Sequence, residues 1–146
     1  MFIYEKDSKK VHIYDTQAGG VQTVILPIES SFPHNYQICQ IGGDRSFILG
    51  GGDFARLPES MFSTRELTKD AMGMLSLQRR KPMKFARHGH AACSISENFI
   101  VVTGSRKDHD GADKATEIYD ATADTWMTLK PMNTGRHYHS SCSFNQ

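Results

Sequence analysis

Apolar positions in this chain come in short runs and in alternation, not in helical stripes. SFILGGG (Ser46–Gly52) and FIVVTG (Phe99–Gly104) are apolar runs stopped by glycine, the pattern of a short buried strand. VHIYDTQAGGV (Val11–Val21) and TEIYDATADTW (Thr116–Trp126) alternate and then break into Asp, Thr, Ala and Gly, as a strand entering a turn does. The nearest thing to a helix is MFSTRELTKDAMGML, with Ser and Thr ahead of Glu66 as in a capping box. Its place in the repeat described next predicts strand instead.

The same phrases recur. Arg87-His88-x-His90-x-x-Cys93-Ser94 returns 49 residues later as Arg136-His137-x-His139-x-x-Cys142-Ser143, and Lys81-Pro82-Met83 returns as Lys130-Pro131-Met132. A weaker copy lies upstream, where Pro33, His34, Tyr36 and Cys39 fill the places of Arg87, His88, His90 and Cys93. Ile-Tyr-Asp occurs at 13–15 and 118–120, each followed by a large residue, Val21 or Trp126, seven positions after the tyrosine. In the middle copy, RELTKDAMGML, Thr68 stands in the tyrosine's place. Each unit of about 50 residues therefore reads as four short strands: A (the R-H-x-H phrase), B (ending in Gly), C (Ile-Tyr-Asp) and D (ending near Pro-Met). A four-stranded antiparallel unit buries both faces only by stacking on others like it, as in a propeller.

The order R-x-x-H, apolar-Gly-Gly, E-x-Y-D, W-x-x-L, P-M resembles the kelch repeat. Arg87/His90 and Arg136/His139 match its first element, Gly50-Gly51 its double glycine, and Glu117, Tyr119, Asp120, Trp126 and Leu129 the rest. The match departs at Thr103-Gly104-Ser105, which keeps one glycine, in the middle unit, which lacks Tyr and Trp, and at Val21, which replaces Trp. The resemblance implies an all-β, kelch-type β-propeller of about three blades of four antiparallel strands, an incomplete ring. It implies an innermost strand A, and Tyr and Trp packed between blades. Residues 1–33 supply strands B-C-D of a first blade, 34–85 a second blade, 86–135 a third, and 136–146 strand A of the next or closing blade. Propellers typically need four to eight blades, so the missing ones are expected from a longer chain or from a second copy.

Composition narrows function further. A net charge of +1, 38% hydrophobic residues and a mean hydropathy of −0.47 give no global pull toward nucleic acid or an acidic membrane. The first ten residues hold too short an apolar stretch for a signal peptide, and no run approaches a membrane span. Three cysteines without C-x-x-C make no disulfide framework. A cytoplasmic chain is expected, its cysteines small buried packing residues.

His88 and His90, two apart on a strand, would share a face, as would His137 and His139, and four imidazoles near a channel could hold zinc or copper. Against this, His90 and His139 stand at the structural histidine of the kelch motif, and the cysteines would point the other way. A galactose-oxidase-like copper enzyme needs a Cys-crosslinked Tyr, of which the sequence offers no sign. IGGDRSFILGGGD lacks the phosphate-loop pattern, DHDGAD (Asp108–Asp113) has its Gly misplaced for a calcium loop, and no G-x-S-x-G elbow exists. No cofactor, no metal and no catalytic residue is expected. A propeller enzyme or His-ligated metal protein is the alternative to a binding module.

Strand order sorts the charges. D-to-A and B-to-C connections share one end and collect most of the cations; A-to-B and C-to-D connections share the other and are acidic. QRRKPMKFAR carries Arg79, Arg80, Lys81, Lys84 and Arg87, with Arg106 and Lys107 joining from a B-to-C loop and Arg136 from the last phrase. In kelch proteins this end commonly receives a peptide. The expectation is a protein-interaction scaffold that binds an acidic partner segment there through charge-assisted hydrogen bonds. Nucleic acid is not expected, because Phe85 is the one aromatic residue in QRRKPMKFAR and no series of aromatic stacking residues is interleaved with the cations.

Overall fold

A computed structural model describes residues 2–4, 10–15, 19–25, 34–42, 45–52, 61–70, 72, 74–106 and 113–144. Their strands form three antiparallel sheets. The first, β1 (Phe2–Tyr4), β2 (Lys10–Asp15) and β3 (Gly20–Ile25), has the order β1-β2-β3. The second, β4 (Gln37–Ile41), β5 (Arg45–Leu49), β6 (Thr64–Lys69) and β7 (Leu75–Arg80), and the third, β8 (Ala91–Ser94), β9 (Phe99–Thr103), β10 (Thr116–Asp120) and β11 (Thr125–Leu129), are four-stranded meanders in sequence order. Of the capping-box stretch, Leu75 opens β7 and Thr64–Lys69 forms β6. Its alternating Thr64-Arg65-Glu66-Leu67 fits a pleat that packs on both faces.

The second and third sheets pack face to face. Their core joins Cys39, Ile41, Phe47, Leu49 and Met83 to Ile100, Val102, Tyr119 and Ala121. β5 is buried on both faces, whereas β9 alternates between buried and half-buried positions. One face of the third sheet therefore lies open, with Met127 and Leu129 exposed on it.

Three details differ from the sequence expectation. The R-H-x-H phrase is not in a strand: β8 begins at Ala91, after it, so His88 and His90 sit in the connection from β7. The described residues 130–144 contain no strand. Leu67, not Thr68, takes the register of Tyr119. Gly50 N donates to Ser63 O at 2.8 Å and Gly104 N to Ala115 O at 3.0 Å, which aligns Thr64 with Thr116. β6 is one residue longer than β10, so counting from the turn misplaces the position.

Candidate functional site

Arg87 organises the geometry from within. Its side chain has no exposed surface, nor has that of Glu117. The guanidinium donates to Glu117 Oε2 from Nε at 3.2 Å and from Nη2 at 2.9 Å, and from Nη1 to Gly104 O at 2.7 Å and Ala115 O at 3.0 Å. Glu117 also accepts the amides of Lys84 at 2.8 Å and Phe85 at 3.4 Å. Burial pushes the Arg87 pKa down while the Glu117 carboxylate pulls it back.

The phrase around Arg87 is a clasp between sheets. Arg87 N donates to Met61 O at 2.9 Å and Gly51 N to Arg87 O at 2.8 Å, which ties the phrase to the second sheet. Arg106 N donates to His88 O at 2.9 Å, which ties it to the third. The last phrase repeats the pattern on the third sheet: Arg136 N donates to Asp113 O at 2.9 Å and Ser105 N to Arg136 O at 3.1 Å. The approach is so close that a Cβ on Gly50, whose φ is +55°, would stand 2.7 Å from Arg87 O and 2.9 Å from His90 Cε1. Only glycine accepts that backbone and that contact. The central residues of the three phrases, Asn35, Gly89 and Tyr138, all have positive φ. They are chained by hydrogen bonds, Gly89 N to Asn35 O at 3.3 Å and Tyr138 N to Gly89 O at 2.6 Å.

Two of the basic residues expected to meet a partner are engaged internally. Arg87 is buried, as described, because its guanidinium closes the clasp. Arg80 donates through Nε to Glu66 Oε2 at 2.7 Å and through Nη2 to the same oxygen. Arg45 Nε donates to Glu66 Oε1 at 2.7 Å. Glu66 is buried, yet hydrogen bonds from Arg45 and Arg80 overcome that burial and hold its pKa down. Lys107 lies outside the described residues, as do residues 108–112 of the acidic loop.

Arg79, Lys81, Lys84, Arg106 and Arg136 are exposed. Lys84 and Arg106 are brought together through the clasp, the first by its amide on Glu117 and the second by its amide on His88 O. Neither side chain meets a carboxylate among the described residues. Lys84 Nζ lies 5.6 Å from the Phe85 ring centroid. Arg136 repeats the register of Arg87. Lys81 lies apart: its amide donates to Asp124 Oδ1 at 3.0 Å, so a turn assigned to the acidic end reaches the basic stretch. Sequence reasoning missed the exposed Tyr138 beside the clasp, its ring 5.4 Å from that of His137. Nothing but its place in the repeat marks it.

His90 is fully buried among Leu49, Arg87, His88 and His139. Burial, with those charges, lowers its pKa to about 3. His139 Nε2 lies 3.0 Å from Thr103 Oγ1. Among the described residues, no three His, Cys, Asp or Glu side chains group as a metal site would require. Of the cysteines, Cys39 is buried, Cys93 half-buried and Cys142 exposed, so only Cys39 fits the packing role expected of all three. No helix among the described residues is long and apolar enough to cross a membrane.

No profile of a known protein family matches the chain. Two curated relatives do, both from Arabidopsis thaliana. One F-box/kelch-repeat protein is 32% identical over 126 residues, which cover 85% of this chain and 30% of the relative. The F-box/kelch-repeat protein SKIP20 is 36% identical over 59 residues, 40% of this chain and 14% of the relative. The chain thus spans less than a third of the length of either. Among solved structures, a fungal alcohol oxidase of the AA5 family in complex with copper superposes with a TM-score of 0.56 at 21% identity, over 82% of this chain and 24% of the oxidase. That likeness is one of fold. With its meander sheets, its glycine-dependent clasp and these relatives, the chain belongs to the kelch-repeat β-propeller family.

Proposed function

We propose that the chain serves as a protein-interaction scaffold, and that the exposed cations around the clasp receive an acidic segment of a partner protein. The observation that carries this reading is the pairing of Lys84 and Arg106. The Lys84 amide is anchored on the buried Glu117 carboxylate and the Arg106 amide on His88 O, next to the buried Arg87, while both side chains are exposed and unmatched by any described carboxylate. Cations on fixed backbone lose less on ordering than cations on a loose loop. In the sequence, Arg79 and Lys81 precede Lys84, and Lys107 follows Arg106. Arg136 has a second role: beside a further blade its register makes it a clasp residue, and that blade comes from a longer chain or a second copy. The relatives, named for kelch repeats, support a binding role.

The test is a titration with a fluorescent Glu/Asp-rich peptide against wild type, Lys84→Glu and Arg106→Glu. Each reversal should weaken binding at least fivefold, and 0.5 M salt should weaken it further by screening. Equal affinity in all three proteins refutes the reading.

A further inference from the structure

The connections between strands A and B form a second surface, remote in chemistry from the basic face. β4 turns into β5 after Ile41, and β8 into β9 through Ile95–Asn98. Between them lies a groove of about 450 Å³. Its polar walls repeat one register position. Gln40, Ser94 and Ser143 each follow a repeat cysteine, and all three line the groove. The two turns touch, since a Cβ on Gly42, whose φ is +57°, would stand 3.3 Å from Glu97 O. The β8–β9 turn is closed by Ile95 N donating to Phe99 O at 3.0 Å. Ile41 and Ile95 add apolar wall, and Ile95 is 44% exposed. Among the described residues, Glu97 is the one charged residue in the lining, and no cation lines it.

We propose that this groove binds an aliphatic ammonium group. Such a group has three donors and no acceptor. The groove offers the Glu97 carboxylate, the Ser94 and Ser143 hydroxyl oxygens and the Gln40 amide oxygen for the head. It offers Ile41 and Ile95 for the methylene stem, which gains by lying along apolar surface. A carboxylate or phosphate would find no cation there among the described residues. The same chemistry is carried by a lysine side chain of a partner and by a free polyamine. The site is independent of the acidic-peptide face, whose cations lie elsewhere.

A single exposed ion pair is weak, so the assay must read weak binding. The amide spectrum of the ¹⁵N-labelled chain is followed during titration with an otherwise uncharged single-lysine peptide, with its acetyl-lysine form, and with spermidine. The lysine peptide should give saturable shifts at Gly42, Ser94, Ile95 and Glu97, the acetylated form none. Glu97→Gln, at an exposed turn position, should bind at least fivefold more weakly. Shifts with the peptide alone assign a protein lysine, and shifts with spermidine alone a free polyamine; either supports the site. Arg106→Glu should bind the lysine peptide as wild type does, which separates this site from the basic face. The proposal is overturned if neither probe shifts the groove, if the acetyl-lysine peptide shifts it as the lysine peptide does, or if Glu97→Gln binds the shifting probe as tightly as wild type.

Discussion

Removing Glu117 should be the most damaging small change in the molecule. Glu117→Ala takes away a carboxylate that accepts two guanidinium bonds and two backbone amides in a site with no exposed surface. Arg87 would keep only its two carbonyl acceptors, Gly104 O and Ala115 O, and would remain a buried charge without a counter-ion. Breaking a buried pair from one side typically costs about 3–5 kcal/mol, against a total stability on the order of 5–15 kcal/mol for a domain. Arg87→Met should cost a similar amount, since it strands Glu117 and both carbonyls. The double variant Arg87→Met/Glu117→Ala should cost well below the sum, because no charge is then left buried. Urea denaturation reads all three without masking the ion pair as a salt denaturant would. The expected coupling energy is about 2 kcal/mol or more. A Glu117→Ala loss under about 1 kcal/mol, or strictly additive losses, would show that the clasp does not hold the two sheets together.

Two further outcomes follow from the same geometry. Trp126 stacks on Tyr119 at 4.9 Å and donates to Lys81 O at 2.9 Å and Thr64 Oγ1 at 3.2 Å. It is only half-buried, so Trp126→Ala should cost about 2–3 kcal/mol in urea, and an unchanged midpoint would remove it from the inter-sheet contact. His90, with its pKa lowered from 6.5 to about 3, binds its proton far more readily when unfolded. Its contribution is therefore complete above pH 6.5 and is lost as pH falls from there toward 3, about 2 kcal/mol of it by pH 5. His90→Gln should flatten the stability profile between pH 6.5 and 5, and an unaltered slope would mean that His90 is protonated in the folded protein.

The repeat was legible because its markers serve the backbone. Gly50 and Gly104 are required by left-handed φ and by the close passage of the next phrase, so glycine survives there where side chains drift. Tyr119 and Trp126 advertise the inter-sheet contact by size. What the sequence hid was whether a charge faces in or out. Arg79, Arg80, Lys81, Lys84 and Arg87 read as one basic run, yet two of them are committed to glutamates 14 and 30 residues away. Neither glutamate is near enough in sequence to predict the pairing. The R-H-x-H phrase looked like a strand because histidines two apart suit a pleat. Its closing of the gap between sheets is a tertiary contact that periodicity does not record.

The degraded middle unit then has a physical explanation. Where the third unit has Arg87 and Glu117, the second has Pro33 and Arg65, Arg65 holding the register of Glu117 beside Ile48. A lone member of the pair would be a buried, unmatched charge, and in the second unit both positions differ. The second sheet instead buries Glu66, one residue along and therefore on the opposite face, where Arg45 and Arg80 neutralise it. Arg45 also reaches across to Ala121 O at 3.3 Å. The carboxylate has moved from the face that receives the clasp to the face that meets the third sheet. The contact between the second and third sheets is thus held by two buried acids, Glu66 from one side and Glu117 from the other. Each is matched by arginines that the bare sequence offers as surface charge.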